Sequence, residues 1–184
     1  MRKLIYVISL SIDGYCDHTI GVPDDEVFDF YINLIRNAGL SVYGRKTYEL
    51  MVPYWPDIAK NPEGQTKADV DYAEAFDAME KIVFSKSLEK TESRNWRIVR
   101  TNPEDEIIRL KQEEGSNILV GGISLATYLV ERGLVDEYIL QVMPIIVGSG
   151  RRLFEGINLP GKLNLKLLET RIFKSGALLH RYAK

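Results

Sequence analysis

The sequence is poor in the residues that build redox and metal centres. A single cysteine, Cys16, and two histidines, His18 and His180, occur among its 184 residues. One thiol cannot close an internal disulfide, which suits a reducing compartment and makes a cytoplasmic location the expectation. Cys16 and the two histidines do not supply the ligand set of a zinc site, and no acidic cluster has calcium-loop spacing, so no bound metal is expected. Long apolar runs are missing as well. Nothing approaches the roughly 18 residues of a membrane helix. Arg2 and Lys3 precede an apolar run, but that run alternates like a strand and stops at Asp13-Gly14, with no small-residue cleavage site behind it. Nor is there an excess of one charge: 24 basic and 26 acidic residues are interleaved, for a net charge of −2. A nucleic-acid surface concentrates a basic face. The expected partner is a small molecule, not a nucleic acid or a membrane.

What is present is the material of one α/β domain. With 45% hydrophobic residues, the chain can bury a core unaided. No repeat, low-complexity tract or linker divides it. Short apolar strands over residues 3–10, 40–43, 81–84, 97–99, 117–120 and 136–143 alternate with amphipathic helices over residues 25–37, 45–52, 104–113 and 125–131. This is the pattern of a largely parallel sheet. Asp24 or Asp25 is placed to cap the first helix, and Gly39 to end it in a left-handed conformation. Residues 53–67 hold Pro53, Pro56, Pro62 and Gly64 and read as a long loop. Residues 163–173 and 177–182 flank Lys174-Ser175-Gly176, a turn that makes an antiparallel hairpin.

The sharpest local signal is Gly44-Arg45-Lys46-Thr47-Tyr48-Glu49 between a strand and a helix. Unpaired N–H groups, the Thr47 hydroxyl and the charges of Arg45 and Lys46 suit a phosphate. The same pattern also describes a solvated basic first turn. Gly39 and Gly44 followed by Lys46-Thr47 superficially match a P-loop, but the apolar strand between them cannot cradle a phosphate, and that reading is rejected. Gly121-Gly122, with Ser124 after it, is a second place where backbone can approach a pyrophosphate; it is also an ordinary strand-to-helix turn. Ser85-Lys86 ends a strand at the carboxyl edge of the sheet, where ligands of α/β proteins bind.

In order along the chain, Ser11-Ile12-Asp13-Gly14, Gly44-Arg45-Lys46-Thr47-Tyr48-Glu49, Val83-Phe84-Ser85-Lys86-Ser87-Leu88, Val120-Gly121-Gly122, and Leu134-Val135-Asp136-Glu137 leading to Pro144, Gly148, Ser149, Gly150 and Phe154 resemble the dihydrofolate reductase-like family. The resemblance is closer to the branch related to the reductase domain of the bifunctional riboflavin-biosynthesis deaminase/reductase. It covers nearly the whole chain and implies a three-layer α/β fold with a mostly parallel sheet finished by an antiparallel hairpin, as one domain over residues 1–184. It implies NADPH as the cofactor, homodimerisation, and reduction of a small polar heterocycle or carbonyl compound, with 5-amino-6-(5-phosphoribosylamino)uracil reductase as the reference activity. Dihydrofolate reduction and nucleotide binding without turnover are the alternatives.

By the same resemblance Gly44, Arg45 and Thr47 hold phosphates, Ser85 and Lys86 take the adenosine 2′-phosphate, and Gly121 and Gly122 lie along the pyrophosphate; the local reading adds Lys46 and Ser124 to this cofactor-binding set. In relatives the Gly-Gly peptide is cis. Ser9, Ser11, Asp13 and Tyr15 border the substrate, with Trp55 as a lid or stacking residue. The carboxylate that dihydrofolate reductases carry on their first helix falls at Phe28, with Asp29 beside it, so Asp13 and Asp29 are both candidates for the catalytic, substrate-facing acid. For the dimer, the segment from Ile139 to Val147 is apolar enough to need a partner's cover.

Overall fold

Leu4 and Tyr6 face one way from the first strand, Ile5 and Val7 the other, because side chains alternate along an extended chain. The two sets feed separate apolar cores. That strand is β1 (Leu4–Ser11). The computed structural model describes residues 1–16, 24–91 and 95–184. Within them lie seven further strands: β2 (Leu40–Gly44), β3 (Lys81–Phe84), β4 (Trp96–Val99), β5 (Ile118–Val120), β6 (Glu137–Met143), β7 (Lys166–Ile172) and β8 (Leu178–Ala183). They form one sheet in the order β4-β3-β2-β5-β1-β6-β8-β7. Every pairing from β4 to β6 is parallel, and β8 joins β6 and β7 antiparallel. The expected architecture is therefore the observed one.

Helices cover both faces. On one side lie α1 (Asp25–Asn37) and α4 (Lys67–Ala78), which bury Val27, Phe28, Ile32, Ile35 and Phe76. On the other lie α5 (Pro103–Gln112) and α6 (Ser124–Glu131), whose Ile107, Leu110, Leu125 and Leu129 pack on Leu4, Val42, Ile82 and Val120. Asp24 caps α1, accepting from Val27 N at 2.8 Å, and accepts as well from Ser175 N in the hairpin turn at 2.7 Å.

Two expectations need correction, and one helix was not anticipated. Residues 53–67 are not one long loop: after α2 (Arg45–Met51), Pro56 sits in the first turn of a short helix α3 (Trp55–Lys60), where its missing N–H costs nothing. Helix α4 has no counterpart in the sequence reading, because its buried positions include Ala73 and Ala75 and give a faint periodic signal; Thr66 and Asp69 start it with a reciprocal capping box. Gly39 does not end α1 in a left-handed conformation. Ala38 is the C-cap, with φ −88° and ψ 148°, and Gly39 lies in a crowded place: a Cβ there would stand 2.9 Å from Arg2 Nη2 and 3.3 Å from Ser116 O, so the Arg2 guanidinium would have to shift.

Lys81 fastens α4 to the sheet. It is buried at the start of β3, and its ammonium donates to the carbonyl oxygens of Phe76, Asp77 and Met79, the unsatisfied end of α4. The rings of Phe76 and Trp96 lie 4.8 Å and 5.6 Å from Nζ. Burial pushes the amine down to about 8, so it is charged at neutral pH and complements the negative end of the helix. Lys81→Met removes this donor from the carbonyls of Phe76 and Met79, while Asp77 O keeps Asn95 Nδ2 at 2.6 Å, and should cost about 1–3 kcal/mol, measured as a lower urea midpoint at unchanged m-value.

Candidate active site

The sheet opens along β1. On one side β1 pairs with β6 as far as Ser11 and Met143, but on the other its register with β5 stops at Tyr6 and Val120. Val7, Ile8, Ser9 and Leu10 are consequently half-buried although they belong to an interior strand. Ile118 N donates to Lys3 O at 2.8 Å, so the main chain of the odd-numbered residues of β1 faces the β5 side. Past Val120 the main-chain N–H and C=O of Ser9 therefore point into the opening. The carboxyl ends of β1, β2, β3 and β5 converge on it.

The Gly121-Gly122 turn forms one wall. A Cβ on Gly121 would stand 2.6 Å from Tyr43 Cε1, and one on Gly122, whose φ is 83°, would collide with Thr47 Oγ1. The glycines thus let the start of α6 close against the first turn of α2. No peptide among the described residues is cis, so the cis bond implied by the resemblance is absent here. Arg45 reaches across to the end of β3: its guanidinium donates to Ser87 Oγ at 2.5 Å and to Glu49 at 2.5 Å. The Ser85 hydroxyl oxygen accepts from Leu88 N at 3.0 Å and closes the turn that carries Lys86. Gly44, Arg45, Thr47, Ser85, Lys86, Gly121, Gly122 and Ser124 are therefore brought to one corner, with Lys46 exposed beside them.

The opposite rim is a clamp between the turn after β1 and residues 145–153. Asp13 accepts from Ser11 Oγ at 2.6 Å, Gly148 N at 2.8 Å and Val147 N at 3.2 Å. The Ser11 hydroxyl first, and the two backbone donors after it, hold the carboxyl down at about 2. Tyr15 forms a bridge with Arg152, whose guanidinium lies 4.9 Å from the ring centroid. Arg151 donates to Ser124 Oγ at 2.8 Å, at the start of α6. Arg151 and Arg152 escaped the sequence reading, although the doubled arginine after Gly148-Ser149-Gly150 was a visible signal; Ser87 was named there only as part of a matching segment, without a role.

On the α1 side, Ser9 donates to Gln141 Oε1 at 2.9 Å and Tyr31 to the same oxygen at 2.7 Å. Neither Tyr31 nor Gln141 was singled out from sequence. The signal for Gln141 was one neutral polar residue inside the apolar run of β6. Trp55 is not a free loop residue: it lies in α3, packed on Tyr72 at 4.4 Å and Phe28 at 6.5 Å. Asp29 is exposed and lines a different groove, of about 700 Å³, together with Glu26, Arg171 and Arg181. Its carboxylate is not brought together with Ser9, Ser11 and Asp13. His18 lies outside the described residues, among which no group of His, Cys, Asp and Glu is placed to hold a metal ion.

This chain is 29% identical over 181 residues to the uncharacterised protein YyaP of Bacillus subtilis, across 96% of this chain and 92% of that one. Its fold matches a protein from Shewanella sp. PV-4 named provisionally for riboflavin biosynthesis, with a TM-score of 0.74 at 17% identity and 98% of both chains covered. It also matches the Thermotoga maritima diaminohydroxyphosphoribosylaminopyrimidine deaminase/5-amino-6-(5-phosphoribosylamino)uracil reductase, with a TM-score of 0.66 at 15% identity, covering 99% of this chain and 56% of that one. The model of the RibD C-terminal domain matches residues 2–179, and the chain belongs to that family.

Proposed function

We propose that the protein is an NADPH-dependent reductase of a small polar heterocyclic or carbonyl substrate, working at the opening beside β1. The observation that carries this reading is the geometry of that opening: a strand edge with a neighbour on one side only, facing a glycine turn that has been cleared of side chains. Tight packing of Gly121 and Gly122, with Gly121 N donating to Val42 O at 3.2 Å, brings the start of α6 to the mouth, and Arg45, Lys46, Lys86, Arg151 and Arg152 surround it with positive charge. That donor set fits a phosphate-rich dinucleotide. NADPH, when bound, supplies the hydride.

In this reading Arg45, Ser87 and Lys86 meet the 2′-phosphate, and Thr47, Gly121, Gly122, Ser124 and Arg151 meet the pyrophosphate. Asp13 acts as a positioning group. Its three donors keep it ionised, so it holds the 145–148 segment against the cleft and does not deliver a proton. The pyrimidine reduction named for the Thermotoga neighbour is the reference for the substrate. Folate reduction is disfavoured because Phe28, at the position of the folate-binding acid, is buried against Trp55 and Tyr72, and Asp29 lies in another groove.

We further propose a homodimer in the cytoplasm. Of the segment from Ile139 to Val147, the β6 part is interior with Ile139 and Met143 buried, while Ile145 and Ile146 in the loop after it are exposed. The apolar surface that calls for a partner is this loop together with the edge strand β7, where Leu167, Leu168 and Ile172 are exposed, Ile172 and Ile146 at 73% each.

Three measurements test these assignments. Titration with both cofactors should show tighter binding of NADPH than NADH. Arg45→Ala should weaken NADPH about ten- to a hundredfold, as for a lost hydrogen bond to a charged group, and Lys86→Ala should reduce the preference for NADPH. Equal affinities, or no binding at millimolar cofactor, would overturn the cofactor assignment.

Asp13→Asn should melt below the wild type at neutral pH. A carboxyl at about 2 when folded, against about 3.9 when unfolded, contributes stability above the higher value that is lost as pH falls through the lower one. The difference between the two proteins should therefore shrink between about pH 4 and pH 2, and a constant difference would remove the role given to this carboxylate. Light scattering at micromolar protein should give twice the 21.0 kDa chain mass, and Ile172→Glu should return it to monomer.

A further inference from the structure

Ser9, Tyr31 and Gln141 come from β1, α1 and β6, and Ser9 and Gln141 are direct partners in the parallel register. Gln141 is 2% exposed. A buried carboxamide is tolerated when its polar atoms are matched, and here its carbonyl oxygen takes two protons, one from the Ser9 hydroxyl at 2.9 Å and one from the Tyr31 phenol at 2.7 Å. Its amide nitrogen faces the Met143 sulfur at 3.2 Å, a weak acceptor that nonetheless fixes which end of the amide points at the hydroxyls. Burial pushes the Tyr31 phenol up to about 12, so it keeps its proton at neutral pH and commits that proton to Gln141.

A hydroxyl carries one proton and two lone pairs. Ser9 and Tyr31 are also within hydrogen-bond reach of each other, so both protons stay inside the trio with the Gln141 oxygen, and toward their remaining sides Ser9 and Tyr31 present lone pairs. Ser9 is half-buried and lies beyond the last residue of β1 that pairs with β5, so its main chain borders the opening, and its hydroxyl stands beside that edge on the α1 face. We propose that Gln141 is the residue that sets the hydrogen-bond polarity of the substrate pocket: it makes Ser9 and Tyr31 acceptors, so that the pocket selects ligands presenting N–H donors over ligands of the same shape that present only acceptors. The proposal rests on the cleft being the substrate site of the reductase described above. Gln141 is a positioning residue, since it acts through the two hydroxyls.

The test uses a matched probe pair, 4-aminopyrimidine, which offers N–H donors, and 4-methoxypyrimidine, which offers acceptors alone. Binding of each is read by NMR chemical-shift titration of the full chain. The wild type should favour the amine by about three- to tenfold, the range of one neutral hydrogen bond. In Gln141→Leu the shared acceptor is lost, Ser9 and Tyr31 keep one proton between them and the other is released, and the preference should shrink or vanish. Gln141→Glu keeps an acceptor facing the hydroxyls and should retain it.

If the leucine variant fails to fold, Ser9→Ala and Tyr31→Phe take its place. Each should lose part of the preference while keeping its affinity for 4-methoxypyrimidine. A wild type without preference or without binding of either probe, or a preference untouched by Gln141→Leu or by both hydroxyl deletions, overturns the proposal. NADPH titration of the same samples separates the two readings. Preference without NADPH binding leaves the polarity assignment standing and removes the reductase; NADPH binding without preference does the reverse.

Discussion

Strand β5 is three residues long, and the fold around the cleft follows from where it stops. After Val120 the chain turns at Gly121 and Gly122 directly into α6, and neither position has room for a Cβ against Tyr43 and Thr47. Had the strand run on, Val7–Leu10 would be an ordinary buried segment with hydrogen-bonding partners on both sides. Because it does not, half of an interior strand is left with a single neighbour. An unpaired main-chain group away from water is costly, so a gap of this kind survives where solvent or a ligand can reach it. The apolar layers on both sides of the sheet keep the gap from collapsing, since Leu4, Tyr6, Ile118 and Val120 are locked into a core that α5 and α6 cover.

The parallel strands were legible because they are short runs rich in Val, Ile, Leu and aromatic residues. The hairpin was legible from Lys174-Ser175-Gly176, and Gly176 has the positive φ of 81° that such a turn requires. Helix α4 was not, since alanines at core positions carry little periodic contrast and its anchor, Lys81, is a buried cation that composition alone would place on the surface. Gly39 illustrates a different failure. The residue type was right for a chain reversal, but the crowding there comes from Arg2 and Ser116, contacts that no local pattern contains.

The cleft divides in the same way. Its phosphate-facing corner is assembled from segments whose own sequence advertises the chemistry: glycine pairs, adjacent cations and hydroxyls at strand ends. The trio of Ser9, Tyr31 and Gln141 has no such signature. Ser9 and Gln141 stand 132 positions apart in sequence, and each is unremarkable where it stands, a serine in a strand, a tyrosine in a helix and a glutamine in a strand. Only the parallel register of β1 on β6 makes them neighbours. Asp13 shows the converse. As part of Asp13-Gly14 it is conspicuous in the sequence, yet the structure spends its oxygens on Ser11, Val147 and Gly148.

Charge follows this division. The cations lie on the side of Gly121-Gly122 and the 148–152 loop, whereas the α1 side of the opening carries neutral hydroxyls and an amide. A polyanionic ligand placed between them is drawn toward the first side by long-range attraction, which needs no precise fit. A small heterocycle on the other side meets groups whose preferences are directional and short-ranged. The two walls thus differ in the physics by which they discriminate, one by sign of charge and the other by the direction of hydrogen bonds. The boundary between them is the free edge of β1, where the main chain of Ser9 faces the opening.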